Sequence, residues 1–600
     1  MRIAVLVGIF ALFAQLASAQ ITIDDKRIIL DSGVTLESYI NNSSIQRVTL
    51  IPSQYPSSTT SGLAEVIASA TCTNGCLVMI PSGTFTFTCT PGTMSTDQGC
   101  FEIFERSDIF FAGAGYDRTI LEWSYNSKDF ATPFRMSMIR VYGRDDDAVG
   151  GPVPSSNILF HNMTIAMHDL CNPTTDLCDD QALTATLKIQ EAEDVQIITS
   201  QITCDDLHGD YSEINGQICR AIWVNGDEWR GVTNGGDYPS RRVWLTNCKV
   251  AGSGRGLEFH FCKDCWVSGS MIFSPTEEDP SLRPTTKGMF VKYLADGVRA
   301  TNNTFSMKGL SGDFWGVLLL PMAGGQRDLE AGAYLQLTGN TWIGNGARTT
   351  ARGCILTNPN HMCCTALNEP FDCCTGSGTG DATCDRSGTQ IEIQGYNFAN
   401  IANNVFSCDD RSYCISRGIN FTNTGVTCEY PDGSTGNCNS GNVIANNIWH
   451  RWVPANFEGQ TGGGFLCPIV LDNPATLSPI DAAGNNGMRN IFSGNLFDLA
   501  STSGTPVADA GTGGGFSGFC WSNESFAMQT IIGNQSRVAH QGAVYPRGLL
   551  EDLALVPCES GNQGMILSIS DGDSATDCNP TTTGAFEVLC RCDGTTWTAL

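Results

Sequence analysis

Residues Arg255–Phe273 read RGLEFHFCKDCWVSGSMIF. Leu257, Phe259 and Phe261 alternate with Glu258 and His260. A polar turn (Lys263, Asp264) leads to Trp266-Val267, and a small-residue corner (Gly269-Ser270) leads to Met271-Ile272. Alternation of apolar and polar residues is the signature of a strand, because successive side chains point to opposite faces. Three short strands joined by tight corners, repeating at about 22 residues in the tightest case, predict one coil of a parallel β-solenoid.

The corner recurs along the chain as Asn162-Met-Thr-Ile165, Asn247-Cys-Lys-Val250, Gly269-Ser-Met-Ile272, Asn302-Asn-Thr-Phe305, Gly339-Asn-Thr-Trp342, Asn403-Asn-Val-Phe406, Asn446-Asn-Ile-Trp449 and Gly494-Asn-Leu-Phe497. Asn and Gly tolerate the left-handed backbone a sharp corner needs, and stacked Asn amides can bond from coil to coil. Uneven spacing between corners predicts inserted loops, where specificity would reside.

On this repeat grammar the chain resembles the pectin-lyase-like superfamily of right-handed parallel β-helices. The resemblance implies an all-β solenoid over residues 75–545; the residues before it read as a 1–20 signal peptide and a 21–74 leader ending in a capping helix around Ser61–Ala68. Residues 546–600 read as a small Cys-containing β-module or C-terminal cap. It also implies carbohydrate chemistry, since members include pectate lyases, polygalacturonases and uronate epimerases beside non-catalytic adhesins. Of the catalytic runs of polygalacturonases only Asp205-Asp206 has a counterpart here, so roles are assigned from chemistry alone.

Composition sets further bounds. The opening MRIAVLVGIFALFAQLASAQ predicts secretion, and no later apolar run is long enough to span a bilayer. Twenty-seven cysteines suit disulfides in an oxidising compartment, with at least one thiol left over. Cys262 and Cys265 form the sole C-x-x-C pair, for which zinc is the competing reading. A net charge of −27, from 61 acidic and 34 basic residues, argues against nucleic acid and anionic membranes. A polyanionic substrate would then need a local basic patch or Ca²⁺. The expected partner is a polysaccharide or other glycan, and the expected state a monomer. Sequons at Asn41, Asn162, Asn302, Asn420, Asn523 and Asn534 make it a candidate glycoprotein; Asn162 and Asn302 read as buried corner residues and Asn420, Asn523 and Asn534 as the fairer acceptors.

In such solenoids the substrate lies along the sheet whose strands align here as Met138–Tyr142, Ala185–Gln190, Ala221–Asn225, Gly256–His260, Gly288–Lys292, Gly316–Leu320 and Gln390–Gln394. Outward positions then form two columns, Arg140-Lys188-Trp223-Glu258-Phe290-Leu318-Glu392 and Tyr142-Gln190-Asn225-His260-Lys292-Leu320-Gln394. The candidate catalytic residues are Glu258, His260, Lys292, Asp205, Asp206 and His208. Candidate substrate contacts are Trp223, Asn225, Arg255, Phe290, Lys188 and Arg220, because sugar faces stack on aromatics. Asp206, Asp210 and Asp227 are candidate Ca²⁺ ligands, and His168-Asp169 opens another cleft-side loop. Three functions fit these residues. A uronate lyase or epimerase would use His260 or Lys292 as base and a cation to neutralise the carboxylate. A glycoside hydrolase would pair Glu258 with Asp205, Asp206 or Asp210 at about 5–9.5 Å. A non-catalytic glycan-binding or wall protein would use none of them as acid or base.

Overall fold

A computed structural model describes residues 46–50, 59–89, 98–126, 135–144, 152–170, 183–206, 218–226, 238–275, 282, 285–292, 295–307, 315–320, 334–344, 389–394, 398–407, 417–422, 427–429, 435–437, 441–452, 455–456, 465–466, 468–471, 490–499, 519–521, 530–532, 534–538, 566–572, 578, 586–593 and 595–599. The chain winds through three parallel sheets as a right-handed β-helix. Among the described residues, sheet 1 has 14 strands, from Gln46–Thr49 to Thr530–Ile532, and sheet 2 has 12, from Gly83–Phe87 to Gln535–Val538. Sheet 3 has 11, from Gln98–Phe104 to Phe519–Trp521. Each coil passes from sheet 3 to sheet 1 to sheet 2. The 255–273 stretch is divided largely as its pattern predicts, except that Phe261 (φ 44°) leaves the first strand as a corner and Lys263 is paired with Arg241 rather than in a turn. Gly254–His260 lies in sheet 3, Cys262–Lys263 and Trp266–Ser268 in sheet 1, and Met271–Phe273 in sheet 2.

The corner between sheets 1 and 2 is the most regular feature. From His161 onward every such connection is two residues long. Its first residue is left-handed in each predicted motif: Asn162, Asn247, Gly269, Asn302, Gly339, Asn403, Asn446 and Gly494 have φ of 53° to 67°. At Gly269 the absent Cβ leaves room for the Asn247 amide, whose Oδ1 would lie 2.5 Å from it. The second residue points inward. Asn303, Asn340, Asn404, Asn447 and Asn495 are buried and form a ladder that ends at Asn534. In it each Oδ1 accepts the backbone N–H and the side-chain Nδ2–H of the preceding rung, as Asn404 does from Asn340 at 2.9 and 3.0 Å. Each Nδ2 also donates to a backbone carbonyl, such as Leu337 O at 2.8 Å for Asn404. Polar side chains thereby satisfy backbone groups that the corner would otherwise strand in the interior. Two residues on, Phe305, Trp342, Phe406, Trp449 and Phe497 stack through the core with ring centroids 4.1, 5.7, 4.8 and 4.9 Å apart.

At the N-terminal end a helix, Leu63–Ala68, buries Leu63, Val66 and Ile67, whose i, i+3, i+4 spacing makes one apolar face. Arg106 donates to the carbonyls of Ile67 and Cys72 at 2.6 and 2.7 Å, occupying acceptors at the helix's C-terminal end. The leader is less irregular than its sequence suggests. Gln46–Thr49 pairs in parallel with Cys76–Met79 and so begins sheet 1. The final strands, Ile566–Gly572, Phe586–Cys592 and Trp597–Ala599, form a separate antiparallel sheet with a Cys578–Cys590 disulfide.

Cys262 and Cys265 are disulfide-bonded to each other, which removes zinc as their partner. Further disulfides join Cys72 to Cys76, Cys89 to Cys100 and Cys204 to Cys219. Cys248 is a free, buried thiol, pushed up to about 12 by burial. The Cys354–Cys384 run, like the proposed signal peptide, lies outside the described residues. Among them no helix is long and apolar enough to cross a membrane. Several of the sequons change their reading. Asn420 is fully buried, and Asn534 is a rung of the corner ladder, so neither presents a free amide for a glycan. Asn302 is exposed rather than buried, and its neighbour Asn303 takes the inward position.

Candidate functional site

Sheet 3 carries the two expected columns in register. Arg140 pairs with Lys188, Lys188 with Trp223, Trp223 with Glu258, Glu258 with Phe290, Phe290 with Leu318 and Leu318 with Glu392. In the second column Tyr142 pairs with Gln190, Gln190 with Asn225, His260 with Lys292 and Lys292 with Leu320. A third column, which the sequence reading did not assemble, pairs Arg220 with Arg255 and Arg255 with Lys287. Lys287 is new to the site. Its signal was available, since it precedes Gly288 as Arg255 precedes Gly256.

These columns converge on one carboxylate. Glu258 Oε2 accepts from Arg220 Nε, and Glu258 Oε1 accepts from Arg255 Nη1 at 2.5 Å and meets His260 Nε2. Trp223 and Phe290 flank Glu258 on the neighbouring strands, and the His260 ring meets both edge-on, with centroids 5.8 and 6.3 Å apart. Cations lie across both flanking rings. Lys188 Nζ and the Arg220 guanidinium are 4.4 and 4.5 Å from the Trp223 ring, and Arg255 and Lys287 are 4.7 and 5.5 Å from Phe290. Each such contact stabilises by about 0.5–2 kcal/mol, more as it is desolvated.

The sequence reading put these side chains on an open cleft face. The structure buries them. Glu258, His260, Trp223, Lys188, Arg220, Phe290, Asn225 and Lys287 are all between 0 % and 6 % exposed. The cations fold flat over the aromatic rings instead of projecting from the sheet, so period-2 patterning assigns their face correctly but not their exposure. Arg255, with 12 % of its side chain exposed, is where the cluster meets solvent. Two guanidinium groups pair with the Glu258 carboxylate and two lysines lie over the rings that flank it, in a chain whose overall charge is −27. Two buried polar atoms, Trp223 Nε1 (a donor) and Asn225 Oδ1 (an acceptor), have no hydrogen-bond partner among the described residues.

The other candidates fall elsewhere. Asp205 is paired with His168 across neighbouring strands of sheet 2, Nδ1 to Oδ2 at 3.1 Å, and not with Glu258. That hydrogen bond, together with the charges of Asp205 and Glu122, raises the His168 pKa against the opposing effect of burial. A raised pKa stabilises the fold below the unfolded value of 6.5, and that contribution is lost as pH rises through the higher folded value. Asp205→Asn is therefore expected to bring His168 back down, and to cost more stability at acid than at alkaline pH. An NMR titration of the His168 ring resonances checks the first, and an unchanged titration would disprove the coupling. Asp206 and Lys292 are placed by their backbones only. His208, Asp210 and Asp227 lie outside the described residues, so of the candidate Ca²⁺ ligands only the backbone of Asp206 is placed. No group of three or more potential metal-ligating side chains occurs among the described residues.

No family model and no curated protein matches the chain. Among solved structures it is similar to the A-module of mannuronan C-5 epimerase AlgE4 from Azotobacter vinelandii, at 12 % identity over 80 % of this chain and 94 % of that one, with a TM-score of 0.42. It is similar to the Dettilon tailspike protein at 10 % identity, over 93 % and 78 % of the two chains, TM-score 0.38. The catalytic domain of a GH87 α-1,3-glucanase matches at 12 % identity, over 84 % and 69 %, TM-score 0.35. At these identities and scores the likeness carries no chemistry.

Proposed function

We propose that this is a secreted carbohydrate-active protein acting on a uronate polysaccharide, as a lyase or epimerase, at the Glu258–His260 cluster of sheet 3. The observation that carries this reading is the run of cations Lys188, Arg220, Arg255 and Lys287, one on each of four successive strands of sheet 3, on a strongly acidic chain. A neutral glycan has no use for it, and a uronate carboxylate does. The disulfides and the apolar opening of the sequence support secretion.

The chemistry follows from the geometry. In a neutral His260 ring, donation of Nε2–H to Glu258 leaves Nδ1 in the unprotonated form, so Glu258 sets the tautomer of a base. That base takes the proton α to the substrate carboxylate. The cations hold the carboxylate and stabilise the negative charge that develops on it. In elimination the electron pair closes a carbon–carbon double bond as the glycosidic oxygen departs and takes a proton from water. In epimerisation a different proton, supplied by water on the opposite face, is added to the carbanion while His260 keeps the one it removed. Trp223 Nε1 and Asn225 Oδ1 suit a sugar hydroxyl, which can accept from one and donate to the other. The hydrolase reading draws less support, because Asp205 is held by His168 and Glu258 by two guanidinium groups.

A screen against polygalacturonate, alginate, pectin and neutral glycans, with Ca²⁺ and with chelator, tests this. Ultraviolet absorbance of unsaturated ends, or epimerised residues seen by NMR, is expected on an acidic polymer and should vanish in His260→Ala. Reducing ends without absorbance would transfer the case to hydrolysis. The near-complete burial of the cluster favours a second reading, a non-catalytic glycan-binding or wall protein. Retained glycan binding with no turnover on any polymer would support it and end the first.

A further inference from the structure

Sheet 3 carries a second polar pair on its outer face, toward the C-terminal end of the solenoid. Glu392 and Asn420 are register partners on the neighbouring strands Thr389–Gln394 and Arg417–Thr422. Ile391, Ile393, Ile419 and Phe421, which alternate with them, belong to the core, so both residues point away from it. Asn420 is fully buried and Glu392 is 7 % exposed, which makes Glu392 the member that meets solvent.

Neither Oδ1 nor Nδ2 of Asn420 has a hydrogen-bond partner among the described residues. In the corner ladder the case is different. Asn303, Asn340, Asn404, Asn447 and Asn495 are also buried, and each donates and accepts through its side-chain amide. A buried amide left unmet at both ends costs folding free energy that a leucine in its place would not. Asn225 is the other buried asparagine with an unmet amide atom among the described residues, and it too lies on the outer face of sheet 3, in the His260 column. Asparagines with bonding capacity to spare therefore occur on the sheet that carries Glu258, and not in the ladder that holds the coils together.

From this contrast we infer that Asn420 and Glu392 form a second glycan subsite, which holds one sugar of a polysaccharide through adjacent ring hydroxyls. One hydroxyl oxygen accepts from Asn420 Nδ2–H, and the neighbouring O–H donates to Asn420 Oδ1. The Glu392 carboxylate has acceptor sites for a further hydroxyl, and its charge turns the carboxylate of a uronate away from this face. The inference rests on sheet 3 as a glycan-binding face, not on a reaction at Glu258. Glu258 and Asn420 lie in one column, four inter-strand steps apart through Phe290, Leu318 and Glu392. That is about 19 Å at ~4.8 Å per step, a distance that one extended chain of several sugars spans.

Asn420→Leu tests the subsite, through calorimetric binding of a uronate decasaccharide to the full chain and urea denaturation of the free protein. The variant is expected to bind the decasaccharide about tenfold more weakly, the effect of losing one or two hydrogen bonds. Its urea midpoint should equal or exceed the parent's, because the unmet amide is gone. Acetylating the ring hydroxyls of the decasaccharide should abolish the difference between variant and parent. An unchanged affinity, or a lowered midpoint showing that the amide is bonded within the fold, would overturn the subsite while the Glu258 reading stands. A difference that survives acetylation would overturn the assignment to hydroxyls. Asn420-dependent binding without turnover of any polymer would support the subsite and end the Glu258 reading. Failure of the parent protein to bind any glycan would overturn both.

Discussion

Alanine in place of Glu258 is expected to destabilise the surrounding coils by about 3–5 kcal/mol, the range for removing one partner of a buried ion pair. The carboxylate is fully buried, and it is the acceptor for Arg220 and Arg255, which cannot shed their charge when it goes. The loss should be local, because coils in a solenoid are held chiefly by their neighbours. Amide exchange in Ile218–Asn225, Gly254–His260 and Thr285–Lys292 should speed up while exchange near the Trp449 corner stays the same. Combining Arg220→Met with Glu258→Ala should cost less than the two single changes summed, because one of the stranded charges is gone. Full additivity, or an E258A protein as stable as its parent, would mean the cluster is not coupled as its contacts indicate.

A comparable loss is expected from Asn404→Ala, and almost none from changing the residue beside it. Truncating Asn404 deprives the buried Asn340 N–H and Nδ2–H of their shared acceptor, and Leu337 O of a donor. At about 1–3 kcal/mol for each buried group left unsatisfied, the total is roughly 3 kcal/mol or more. Asn403, one position earlier, is exposed with φ of 57°, a conformation glycine adopts freely. Asn403→Gly should be neutral to within a few tenths of a kcal/mol. Urea denaturation of the two variants, read through the fluorescence of the stacked core tryptophans, gives the comparison. Similar losses at both positions would show that the corner depends on its backbone shape and not on the ladder.

The contrast between Asn403 and Asn404 marks how far the sequence could be read. The recurring Asn and Gly residues disclosed the corner and its left-handed backbone. They also drew attention to the first position of the motif, whereas the coil-to-coil amide bonds belong to the second. Strand columns were legible because alternation and the x-G-Φ-x-Φ repeat align sheet 3 without any knowledge of its loops. Exposure was not legible. Nothing in Lys188 or Arg255 says whether the charged end reaches for water or lies across Trp223 or Phe290. Nor could spacing pair Asp205 with His168, since that contact depends on how one strand of sheet 2 registers on the next.

The two-residue connection between sheets 1 and 2 also bears on how such a chain can diversify. With that joint constant from His161 onward and clamped in its second half by amide rungs, changes in length are confined to the two margins of sheet 3. An insertion there extends a loop whose ends are already fixed, at an entropic cost of only ~0.6 kcal/mol for each doubling in length. It does not shift the register of any strand. New segments can thus be gained or lost beside Glu258 without displacing it, so the loops at the margins can drift while the joint behind them holds the spacing of the strands.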